Sequence, residues 1–72
     1  MKTYRGYEIG TGWIPGTIGV FCDGYQNHAC ETEAQAMAAI DGWIARWKVM
    51  VAEGHADVAS AREALEFCGE TI

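Results

Sequence analysis

The chain has little that could do chemistry by itself. Among its 72 residues there is one proline, no CxxC pair, and no more than five lysines and arginines against ten acids. No apolar run approaches the 18 or more residues of a membrane span, so a bilayer-crossing helix is excluded. A net charge of −5 excludes a non-specific grip on nucleic acid, which needs a basic surface, and points toward a basic partner. Cys22, Cys30 and Cys68 are odd in number and lack the paired spacing of zinc ligands, even with His28 and His55 counted. They read as small buried thiols of a reducing compartment, with no metal, no cofactor and no Cys22–Cys30 bridge. Met1-Lys2-Thr3 opens into a strand-like pattern and not a signal peptide, which makes the cytoplasm the expected location. No Ser, Cys or Lys stands beside a recognisable activating base, and the carboxylates are scattered rather than paired. The glycine-rich stretch Gly10 to Gly16 lacks the Lys-Ser/Thr and helix start that would cradle phosphate. A non-enzymatic protein is expected.

What is present is organised around Thr32 to Glu53, which reads as one long helix. Thr32 with Gln35 has the form of a capping box, Glu33 suits the positive end of the dipole, and Gly54 can end the helix in a left-handed conformation. Met37, Ile40, Ile44, Trp47 and Val51 form one stripe at helical spacing, widened by Ala36, Ala39, Trp43 and Met50. Trp47 falls at the centre of that stripe and is expected to be buried against a sheet. Trp43 falls nearer its edge and, with Met50, is a candidate self-association or helix-packing face. On the far side lie Ala34, Ala38, Gly42, Ala45, Val49 and Ala52, a surface either solvated or open to a second helix. Glycine in mid-helix costs about 1 kcal/mol relative to alanine.

Ahead of the helix, Thr3 to Ile9 alternates and reads as a first strand, followed by a loop over Gly10 to Gly16. Trp13 and Ile14 in that loop either fold back on the core or meet a partner. Thr17 to Cys22 is a second strand with Ile18, Val20 and Cys22 on one face. Asp23-Gly24 suits a type I′ turn, so Tyr25 to Cys30 returns as a polar third strand. After Gly54, Asp57 is a candidate N-cap for a second helix over 58–68, closed by Gly69. Its stripe is Val58, Ala61, Leu65 and Cys68, with Arg62, Glu63 and Glu66 turned away and Glu70 following. The fold class is α+β: a three-stranded antiparallel sheet on one long helix of about 33–53, then a short helix of about 58–68, all one domain.

Tyr4, Arg5, Gly6, Tyr7 and Ile9, a "YRGYxI" start, stand before Thr32, Ala36, Ile40 and Asp41, a "T-x-x-x-A-x-x-x-ID" helix. Over about residues 3 to 44 this resembles small bacteriophage and prophage proteins. The resemblance implies a protein that binds and blocks a host protein, in the manner of acidic inhibitors of CRISPR–Cas and other defence systems that cover basic surfaces. A CRISPR–Cas component with a basic surface is the partner so implied, with no direct contact to nucleic acid. On this reading Trp13, Tyr25, Glu63, Glu66 and Glu70 face the partner. The alternative is a structural protein whose apolar helix face forms a homodimer or larger assembly.

Overall fold

The computed structural model describes residues 2–54 and 57–70. The first surprise lies at the start. The stretch expected to be one strand is a hairpin, β1 (Lys2–Tyr4) and β2 (Tyr7–Thr11), folded about Arg5-Gly6. Arg5 and Gly6 have φ of 49° and 90°, the paired positive values of a type I′ turn. The turn resets the alternation, so Tyr4 lies opposite Tyr7 on the same face. An unbroken strand would have put them on opposite faces. The sheet therefore has four strands, not three.

The remaining strands are β3 (Ile18–Cys22) and β4 (Tyr25–Cys30), joined by Asp23-Gly24 with φ of 52° and 83°. This is the type I′ turn that an Asp-Gly pair favours. The order is β1-β2-β3-β4, an antiparallel meander. Between β3 and β4 the register slips: Val20 faces His28 and Phe21 faces Gln26, so Asn27 is the extra residue of a bulge. β2 extends to Thr11, which shortens the expected loop to residues 12–17.

Helix α1 (Glu33–Glu53) starts at the expected Thr32 cap, with the return bond of the capping box displaced by one residue, to Glu31. Thr32 Oγ1 accepts from the Gln35 N–H at 3.1 Å, and Gln35 Oε1 accepts from the Glu31 N–H at 2.8 Å. Gly54, at φ 67°, ends it with its N–H toward the Met50 and Val51 carbonyls. Helix α2 (Val58–Phe67) follows Asp57, whose carbonyl accepts the Ala61 N–H at 3.0 Å. It closes on Gly69, φ 73°, where Gly69 and Glu70 donate to the Glu66 and Leu65 carbonyls at 3.0 and 2.9 Å. That pair of bonds is a Schellman motif. No helix among the described residues is long and apolar enough to cross a membrane.

Length decides how the layers meet. Twenty-one residues of helix extend about 31 Å, whereas a five-residue strand spans about 17 Å. Only the first half of α1 can lie on the sheet. There Ala36, Ile40 and Ile44 pack with Tyr7, Ile9 and Val20, and Leu65 of α2 and Cys68 just past its end close the cluster. The second half runs past the sheet and is covered by α2. The result is elongated, 40 × 18 × 18 Å, with a radius of gyration of 12.9 Å against about 11 Å for a compact chain of this length. Trp47, expected at the buried centre, is only partly buried because α1 has left the sheet by then. Trp43 is the tryptophan that meets the sheet, edge-on to Tyr7 at 5.6 Å and to His28 at 5.5 Å.

Gly42 is exposed, and a Cβ built there meets nothing within 4 Å. The fold itself gives no reason for glycine at this position. Gly42→Ala is therefore expected to stabilise the chain by about 1 kcal/mol, read as a higher urea midpoint with an unchanged slope. A lower midpoint would mean that Cβ meets something, such as a second chain.

Candidate functional site

Two features stand outside the apolar core: a cluster of charged side chains at one end of the sheet, and the sheet face turned away from α1.

The cluster begins at the Arg5-Gly6 turn. Asp41, one helix turn before Ala45 on α1, accepts from the Tyr4 hydroxyl at 2.7 Å and from Arg5 Nη1 at 2.8 Å. The other arm of Arg5 reaches Glu70 at 3.0 Å, and Lys48 reaches the same carboxylate at 2.7 Å. One guanidinium thus joins the first turn, the middle of α1 and the end of α2. Its planar fork suits two carboxylates at once. The hydrogen bonds from Tyr4 and Arg5 hold the Asp41 carboxyl below its usual range, and those from Lys48 and Arg5 do the same for Glu70. Beside this cluster the Tyr7 hydroxyl is pushed up to about 12, chiefly by burial, and lies against the Cys68 thiol, which burial also raises.

These shifts set a pH window. The carboxyl values are lower in the folded chain, so their stabilisation is present at neutral pH. It is lost as pH falls through the folded values of Asp41 and Glu70, below the ordinary carboxyl range of about 4. Tyr7 is higher in the folded chain, so its stabilisation is full below about 10 and is lost as pH rises toward about 12. Urea midpoints should fall on both sides of neutrality, and Asp41→Asn with Glu70→Gln should flatten the acid side alone. An acid slope unchanged in that double variant would remove the cluster as its cause.

The outer sheet face has a different character. Glu8, Phe21 and Gln26 form one row across it, and Gly10, Gly19 and Ala29 the next. The Phe21 ring leans back over Gly19, where a Cβ would sit 2.8 Å from a ring carbon. Trp13 stands edge-on to Phe21 at 6.3 Å, and its backbone N–H donates to Gln26 Oε1 at 3.0 Å. Phe21 is thereby buried, while Trp13 and the neighbouring Ile14 each stay 65 % exposed. The loop has folded back and still presents its apolar tip. Neither expected alternative for Trp13 excludes the other.

The chain places its sequence-predicted site residues apart. Trp13 rises from the β2–β3 loop, and Tyr25, 71 % exposed, stands at the opposite end of β3 beside the hairpin turn. Glu63 and Glu66 are exposed on α2. Glu70 is held between Arg5 and Lys48. Trp43 and Met50 are both partly buried, the former by its ring contacts with the sheet. These residues form no single patch.

Glu8, central on the outer face, carries no role in the sequence reading, and Arg5 and Asp41 enter it only as positions of the phage-like pattern. A signal for Glu8 existed: no lysine or arginine occurs between Arg5 and Arg46. None existed for the Arg5–Asp41 pair, whose members are 36 residues apart. Among the described residues the three cysteines are free thiols, no group of acids, histidines and cysteines is gathered for a metal, and no pocket is formed. His55 lies outside the described residues. No family model, no curated protein and no solved structure matches this chain.

Proposed function

We propose that this chain is a non-enzymatic protein-binding module that acts by covering a surface of a host protein. The observation that carries this reading is the exposed Trp13–Ile14 tip beside the sheet face turned away from α1. A large apolar pair on a small acidic chain is a typical binding anchor, and tryptophan is prominent among residues that dominate interfaces. A flat face without a cleft suits a macromolecule better than a small ligand. The narrower form of the proposal follows the resemblance to small phage proteins: an inhibitor of a host defence system such as CRISPR–Cas.

Phage plaquing on bacteria with an active CRISPR–Cas system tests it. Expression of the chain should restore plaques, and Trp13→Ala with Ile14→Ala should abolish the effect while the protein remains folded. If no defence system is relieved, the narrower form fails. If, in addition, immobilised protein retains nothing from host lysate that the double variant does not, the binding-module reading fails with it.

Self-association is the second reading, and the elongated shape favours it. Past the sheet, Trp47, Met50 and Val51 are not fully buried and Val49 is 52 % exposed. A monomer by sedimentation at high micromolar concentration would end this reading.

A further inference from the structure

We infer that the outer sheet face takes a basic segment of a partner protein, which seats an apolar side chain on Trp13 and Ile14 and extends Lys or Arg side chains to Glu8, Asp23 and Glu31. This rests on the binding-module reading above and adds the place and the chemistry of the partner.

The inference comes from how charge is distributed over the fold. All five basic residues belong to the opposite side of the molecule or to its end. Lys2 pairs with Glu33, Arg5 with Asp41 and Glu70, and Lys48 with Glu70, while Arg46 and Arg62 lie on the helices. The outer face has none, because strands β2 to β4 and their connections fall within the forty residues that lack lysine and arginine. His28 is no exception, since the bulge at Asn27 puts it opposite Val20 and against Trp43 on the helix side.

Carboxylates, by contrast, are left there. Glu8 is exposed at the centre of the face, Asp23 at the hairpin turn, and Glu31 just beyond the other end of β4. Among the described residues no ion pair reaches any of the three. With no cation to neutralise them, they give the face a negative field beside the apolar tip of Trp13 and Ile14.

That field discriminates between occupants. A second copy seated on the same face would bring Glu8, Asp23 and Glu31 against their own kind. Nucleic acid and anionic lipid are repelled for the same reason, although Trp13 and Ile14 alone would suit a lipid surface. A basic segment satisfies both parts of the face. Its apolar residue gains the buried contact that slows dissociation, and its cations supply steering and register. The Trp13 ring face can also take an arginine directly.

A random peptide library panned on the full chain tests this without a known partner. Recovered peptides are expected to carry net positive charge beside an aromatic or large aliphatic residue. Their binding should weaken about tenfold or more in Trp13→Ala, and likewise in Ile14→Ser, which alters an exposed side chain and leaves the cover of Phe21 in place. Binding should also fall as salt rises, with a shallower dependence in Glu8→Gln. Circular dichroism of each variant establishes that it is folded. Neutral or acidic peptides, or basic peptides that bind both loop variants as well as the parent, overturn the inference. In the second case the binding-module reading stands and only this surface falls; recovery of no peptide counts against both.

Discussion

Gly6→Ala is expected to destabilise the fold by about 2–4 kcal/mol, well beyond the effect of the same change at Gly24. Both glycines occupy the second position of a type I′ turn, with φ of 90° and 83°. A side chain at positive φ costs about 1–2 kcal/mol in either place. What differs is the surroundings. A Cβ at Gly24 meets nothing within 4 Å, whereas one at Gly6 lies 2.7 Å from the Phe67 carbonyl oxygen and 3.1 Å from the Cys68 Cα. Those are backbone atoms at the end of α2 and cannot rotate aside. The helix end must move, and with it the Schellman turn and the Arg5–Glu70 pair at 3.0 Å. Urea melts of the two variants isolate the packing part as their difference, and hydrogen exchange should show α2 amides losing protection in Gly6→Ala. Equal melts would mean that the turn does not hold α2.

Ile40→Ala should have the largest effect on stability, about 2–5 kcal/mol. Ile40 is fully buried, a state that Ile9, Ile44, Leu65 and Val20 share among the large side chains of the described residues. A chain of this size has roughly 4–11 kcal/mol of stability in total, so one such cavity removes a large part of it. Trp43→Ala follows, because its ring joins α1 to both β2 and β4 through Tyr7 and His28. Trp47→Ala should come last of the three, below the 3–5 kcal/mol of a fully buried aromatic, because its side chain lies past the sheet. Val49→Ala, more than half exposed, serves as the control and should change the midpoint little. If Trp47→Ala were the most damaging, the second half of α1 would be buried more deeply than it is in the single chain, as it would be in an oligomer.

Local chemistry was legible wherever neighbours in sequence are also neighbours in space. The Thr32 cap, the Asp23-Gly24 turn, the αL glycines at Gly54 and Gly69, and both helices follow from residues within a few positions of one another. The Arg5-Gly6 turn was missed. Its glycine was visible, but arginine is an unusual residue at φ 49°, and alternation across the pair imitated an unbroken strand. A turn of that composition has an evident reason once Arg5 is seen to bind Asp41 and Glu70. Both partners are remote along the chain.

The candidate site divides in the same way. That Trp13 and Ile14 sit on a loop tip, and that the chain is acidic, are properties of the sequence. Periodicity also determined that one face of α1 is apolar. It could not say where along the helix the sheet ends, because that depends on strand length set against helix rise, and so it misplaced Trp47 and Trp43. Nor could it say which carboxylates are neutralised within the chain. Glu70 and Glu66 look alike in sequence, yet the Schellman turn carries Glu70 back to Arg5 and Lys48 while Glu66 stays in solvent. Tertiary structure alone decided that distribution, since an ion pair requires only closeness in space, and the fold brings together what the chain keeps apart.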